Sequence, residues 1–172
     1  SSQVSTERVW NQSEPTIDVA YRNVNKVYFR LVEFDFENLL RASRWRPEQL
    51  DRDSRIALLR RRPVRSWSND LPATEDYKQR REQLPAPTDV PAGSYYLIAS
   101  HNPRFDETDN QVSFCEVWVS DLAIVTRTRP GTTLAEGFVL NAITGDPNAG
   151  ARVRAWNRSG GRRFIKMSPS RT

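Results

Sequence analysis

One histidine, one cysteine and a short acidic loop are the residues of this chain whose types invite chemistry. His101 ends the segment "SYYLIASH" and is followed by Asn102 and Pro103. A general base needs a proton within hydrogen-bond reach and a group that orients it. No such pattern surrounds His101, which reads as a surface residue. Cys115, in "FCEVW", alternates with Val117 and Val119, so it is expected to be a buried, unreactive thiol. A nucleophile made by pairing Cys115 with His101 has no supporting motif around it. Asp106, Glu107, Asp109 and Asn110 offer hard oxygen ligands for weak calcium binding, but the spacing and glycine of an EF-hand are missing, and a solvated loop tip is the simpler reading. The chain has no glycine-rich phosphate loop and no Cys or His cluster of zinc spacing. Its carboxylates are too scattered to single out a glycosidase pair. The expectation is a non-enzymatic chain with no catalytic, cofactor-binding or metal-binding residues and no cofactor.

Charge points to surfaces instead. The net charge is +5, with a pI near 9.8, and it is clustered: residues 41–65 hold nine arginines against three acids, and residues 152–171 hold seven basic residues and no acid. The remainder is acidic. Arg44, Arg46, Arg60, Arg61, Arg62 and Arg65 flank Trp45 and Trp67, a combination able to stack on nucleic-acid bases. No recognised nucleic-acid motif accompanies them, and the favoured reading is a solvated helical segment with its tryptophans docked on the body. Exposed Trp45, Trp67, Trp118 or Trp156 would alternatively suit a carbohydrate-binding or adhesive module. With a single cysteine the chain cannot form an internal disulfide. Its apolar runs are too short to span a membrane, and "SSQVSTERVW" lacks the regions of a signal peptide, which suggests a cytosolic protein or an internal piece of a longer one.

The elements that must position these residues are mostly strands. In residues 16–22, Ile17, Val19 and Tyr21 alternate with polar or small neighbours, and Val27, Phe29 and Leu31 do the same after a turn at residues 23–25. This predicts an antiparallel hairpin with one buried face. Over residues 35–62 the apolar spacing becomes three and four, predicting two short helices broken near "SRW", the second running from near Pro47 to before Pro63. Short extended pieces follow at residues 64–67 and 77–84. Strong strands at 94–101 and 111–120 form another hairpin. After residue 122, strands at 123–128 and 134–142 lead to the turn cluster "TGDPNAG", and a further strand begins at 152–156. For the last residues strand, hairpin and loose tail all remain open. Mainly β architecture follows, a two-sheet sandwich with a helical insertion.

The order of motifs carries a resemblance. "YRNVNKVYFRLVEFD", "VRSWSNDLPATEDY", "LPAPTDVPAGSYYLIAS", "EVWVSDLAIV" and "GFVLNAITGDPNAGARVRAW" together resemble macroglobulin domains in the N-terminal half of bacterial alpha-2-macroglobulin-like proteins. Val119, Ser120, Asp121 and Leu122 match the strand end that closes one such domain. Thr144, Gly145, Pro147, Gly150, Ala151 and Val153 match a "TG.P..GA.V" turn near the start of the next. The resemblance implies an immunoglobulin-like macroglobulin sandwich over residues 1–121 with a helical insertion at about 35–62, and the first strands of a truncated second sandwich over 122–172. It implies a non-catalytic part of a periplasmic, envelope-associated or secreted endopeptidase inhibitor. The partners would be neighbouring domains of the full-length chain and, through it, target proteases. Neither nucleic acid nor membrane insertion by this segment is implied. The thioester motif of that family has no counterpart here, since Cys115 does not lie in a "CGEQ"-like sequence.

Overall fold

The computed structural model describes residues 2–11, 14–42, 50–73, 76–106, 110–128, 130–131, 135–159 and 163–167. The strands are β1 (Ser2–Thr6), β2 (Val9–Trp10), β3 (Thr16–Tyr21), β4 (Lys26–Glu33), β5 (Arg65–Asp70), β6 (Arg80–Pro85), β7 (Gly93–Ser100), β8 (Ser113–Val119), β9 (Leu122–Thr128), β10 (Ala135–Asn141), β11 (Ala155–Ser159) and β12 (Arg163–Met167). Helices α1 (Phe36–Ala42) and α2 (Arg52–Arg60) lie between β4 and β5 in sequence. The chain forms two compact units, one of Ser1–Asp35 with Leu50–Val119 and one of Phe36–Gln49 with Ser120–Thr172.

Within the first unit the period-2 alternation has the packing consequence expected of it. Ile17, Val19 and Tyr21 of β3 and Val27, Phe29 and Leu31 of β4 are each at most 1% exposed and share one apolar cluster. The strands themselves, however, do not pair. β3 lies between β1 and β6 in a three-stranded sheet, whereas β4 lies between β7 and β5 in a five-stranded sheet ordered β2-β8-β7-β4-β5. The expected hairpin is therefore an arch that carries the chain from one sheet to the other. The physical reason is that alternation specifies which face of a strand is buried but not which strand lies beside it. Asn23 takes a left-handed conformation at the crossing, with φ of 53°, which asparagine tolerates better than most residues. The Leu71 N–H donates to the Asn25 carbonyl at 2.8 Å and ties the arch down.

β7 and β8 do form the expected antiparallel hairpin, and β2 adds in parallel to β8 through Val9 and Trp10. Burial of both sheets' inner faces in one cluster makes the unit a mainly β, two-layer structure. The outer face of the five-stranded sheet is also apolar: Val32, Phe34, Tyr96 and Ile98 are all buried. Phe34 packs on Tyr96 at 4.5 Å between ring centroids and meets Trp118 edge-on at 6.5 Å.

The entry to β7 is pinned by a tyrosine. Tyr95 donates its hydroxyl proton to the Pro91 carbonyl, four residues upstream, at 2.8 Å. Gly93 makes room for the ring, because a Cβ there would sit 3.2 Å from the Tyr95 hydroxyl oxygen. Tyr95→Phe is expected to cost about 1 kcal/mol, the net worth of one such bond, read as a lower denaturation midpoint with unchanged near-ultraviolet circular dichroism.

Helix α2 begins at Arg52 because Asp51 caps it, its carboxylate accepting from the Ser54 N–H at 2.8 Å. These bonds hold the Asp51 carboxyl below its usual pKa. The cap is therefore present in the neutral range and is lost as pH falls through that lowered value. The expected start near Pro47, and the "SRW" break, lie outside the described residues.

The second unit contains α1 and two separate antiparallel ribbons, β9 with β10 and β11 with β12. Glu37 in the first turn of α1 pairs with Arg41 and with Arg154. Gly145 and Gly150, both at φ near 75°, shape the "TGDPNAG" turns with left-handed backbone that side chains resist. Among the described residues no helix is long and apolar enough to cross a membrane.

Candidate functional site

Among the described residues, most candidates from the sequence are absorbed by packing. Cys115 lies on β8 opposite Leu97, with its face toward the inter-sheet cluster. Its Sγ–H donates to the Val4 carbonyl at 3.2 Å. Burial pushes the thiol up to about 11, so the thiolate that attacks or ligates is scarce at neutral pH. His101 follows Ser100 at the far end of β7. The register places it four residues beyond Leu97, roughly 13 Å along a strand, so the Cys115–His101 pair is not assembled. The His101 Nδ1 is buried without a hydrogen-bond partner among the described residues.

The acidic loop is knitted to itself. The Asp106 carboxylate accepts from Asn102 Nδ2 at 3.2 Å and pairs with Arg104 Nε at 3.1 Å. Asn110 Nδ2 donates to Ser100 Oγ at 2.9 Å and to the Asp106 carbonyl at 2.6 Å. Phe105 is buried, with the Arg30 guanidinium 4.0 Å above its ring. Glu107 and Asp109 lie outside the described residues. Among those described, no group of three or more His, Cys, Asp or Glu is arranged to hold a metal ion.

The basic stretch splits in the same way. Arg61 donates to the Glu33 carbonyl at 3.1 Å, and Arg65 grips the Asp89 carboxylate at 2.5 and 2.7 Å. Trp67 is directed into the sandwich, stacked on Phe29 with centroids 5.0 Å apart and planes 22° from parallel. It is therefore no open platform for a base or a sugar. Trp118 donates its indole proton to Glu116 at 2.7 Å, and buried Trp10 donates to Thr6 Oγ1 at 3.0 Å. Trp45 and the side chain of Trp156 lie outside the described set. Arg52, Arg55, Arg60 and Arg62 remain exposed along and after α2.

A trough of about 350 Å³ runs over the outer face of the three-stranded sheet, lined by Gln3, Ser5, Asp18, Ala20, Gln79 and Arg81. The charged groups of this lining are one carboxylate, Asp18, and one guanidinium, Arg81. One feature went unread in the sequence: the Tyr95 bond is signalled only by a Pro91 placed four residues before an aromatic. The outer apolar face was legible, since the end of β4 and Phe34 after it are apolar on both faces.

Comparison with protein-family models, curated proteins and solved structures gives no match to this chain.

Proposed function

We propose that the chain is a non-catalytic scaffold segment of a larger bacterial alpha-2-macroglobulin-like protease inhibitor. In this reading the first unit is an immunoglobulin-like sandwich forming part of a cage wall, and the second opens the next domain. The parent protein would be periplasmic, envelope-bound or secreted. It would contact target proteases as a whole, while this segment contacts its neighbouring domains.

The observation that carries the reading is the strand order. Sheets ordered β1-β3-β6 and β2-β8-β7-β4-β5, with the first strand region divided between them, follow the scheme of immunoglobulin-like sandwiches bearing one added strand next to the third. Tyr95 occupies the corner leading into β7 that such folds pin with a tyrosine. A new β unit beginning at Ser120 suits a tandem array. Rigid sandwiches of this kind transmit domain rearrangement without bond chemistry.

The test uses the full-length parent protein incubated with a panel of endopeptidases. A trapped protease keeps its activity on a small peptide substrate and loses it on a large protein substrate. Equal activity on both substrates, with no complex on size-exclusion chromatography, removes the reading.

A further inference from the structure

The ribbon of β9 and β10 is apolar on both faces. Leu122 and Ile124 stand on one face and Val125 and Phe138 on the other, 45%, 58%, 54% and 72% exposed. A two-stranded ribbon is marginal in water and gains stability when further strands extend it. Its two edges are unlike. The outer edge of β10 is occupied: the Asn148 N–H donates to the Val139 carbonyl and the Asn141 N–H to the Asp146 carbonyl, each at 2.8 Å. Strand β9, among the described residues, is hydrogen-bonded to β10 alone.

The ladder fixes which groups of β9 face outward. The Ala142 N–H donates to the Asp121 carbonyl at 2.6 Å, so these two are a hydrogen-bonded pair. By antiparallel alternation Ala123, Val125 and Arg127 then direct their backbone groups to β10, and Leu122, Ile124 and Thr126 direct theirs away. Ser120 Oγ accepts the Leu122 N–H at 3.0 Å, which leaves Ile124 and Thr126 to present donors and acceptors outward. Two other sheet edges are guarded: β6, "RREQLP", carries Arg80, Arg81 and Pro85, and β5, "RSWSND", is polar apart from the inward-turned Trp67. In "LAIVTRT" there is one charge and no proline, and its register with β10 is unbroken.

We propose that β9 is a self-association edge, where two copies of the chain pair β9 to β9 antiparallel about a two-fold axis at Val125. The two ribbons become one four-stranded sheet. A second copy fits because the strand is complementary to itself in the register that uses its whole length. Val125 faces its own counterpart, Ile124 faces Thr126, and Ala123 faces Arg127. The outward backbone groups of residues 124 and 126 meet each other, and no like charges oppose. The same register lines up Phe138, Val125, Val125 and Phe138 as a continuous apolar strip across one face. The pairing does not depend on the parent protein being a protease trap.

The experiment is cysteine cross-linking of the 172-residue chain. Val125 meets its counterpart at a non-hydrogen-bonded site, where Cα atoms lie about 4.5 Å apart, within disulfide range. In a Cys115→Ala background, Val125→Cys is expected to form a covalent dimer on the order of a hundredfold faster than Ile143→Cys, an exposed collision control, because pairing raises the effective thiol concentration. Sedimentation should show a dimer for the unmodified chain and a monomer for Ile124→Pro, which deletes an outward N–H and spares the bonds to β10. Equal cross-linking rates, a monomeric unmodified chain, or a ladder of species beyond the dimer would each overturn the proposal.

Discussion

Replacing Phe29 with alanine is expected to destabilise the first unit by about 3–5 kcal/mol, the range for deleting a buried aromatic ring. Phe29 is 1% exposed and sits in the middle of β4, with Trp67 opposite on β5 and Ala99 opposite on β7. Its stack on Trp67 joins the edge strand to the core. The small Ala99 side chain cannot expand into the space, so little of the cavity can close. With a urea dependence of about 2 kcal/mol per molar, the midpoint should fall by roughly 2 M. A double-mutant cycle with Trp67→Ala should return a coupling of about 0.5–1.5 kcal/mol for the ring pair. An unmoved midpoint would place Phe29 outside the core.

Alkaline titration should show the second large effect. Burial holds the Cys115 thiol at about 11, against an ordinary value of 9.0. In the pH interval between those values the unfolded chain has lost a proton that the folded chain keeps. Stability is thus full below the ordinary value, declines as pH rises through the interval, and levels off once the folded thiol also ionises. The integrated loss is on the order of 2 kcal/mol. Tyr96 adds a later decline, since burial first and the Glu116 charge second push it from 10.0 to about 12. Cys115→Ala should abolish the earlier decline and leave the later one. Urea midpoints at about pH 8 and about pH 10.5 measure the difference, and parallel losses in both proteins would show that the thiol is not the group responsible.

Strand faces were legible from single residues, and strand neighbours were not. The alternation of Cys115 with Val117 and Val119 placed the thiol on the face that packs against the core, where it is partly buried, and the polar loop between β7 and β8 marked a true hairpin. The same signal at Ile17–Tyr21 and Val27–Leu31 named the buried side chains but wrongly paired the two strands as a hairpin, because period 2 is blind to lateral partners. β1, "SQVST", escaped notice because Val4 is its one apolar residue, and β2 because two residues, Val9 and Trp10, cannot display a period. Among candidate site residues, Trp67 reads as docked on the body, but its partner is hidden, because the register that stacks it on Phe29 depends on a residue far away in sequence. Asp106 reads as part of a solvated loop tip, and its pairing with Arg104, two positions away, goes unanticipated.

The arch at Asn23 also decides the order in which the first unit can assemble. Because β3 and β4 part company there, the ladders closed within local stretches of the described chain are β1 with β3 and β7 with β8; the others must bring together segments far apart, as Leu31 waits for Arg65 and Thr16 for Pro85. Searching for such distant contacts is slow, and folding of this unit should take roughly milliseconds to seconds rather than microseconds. The β7–β8 hairpin, central to the larger sheet, is the natural nucleus. Lesions in β8 should therefore retard refolding, while lesions in β6, which docks late, should chiefly hasten unfolding.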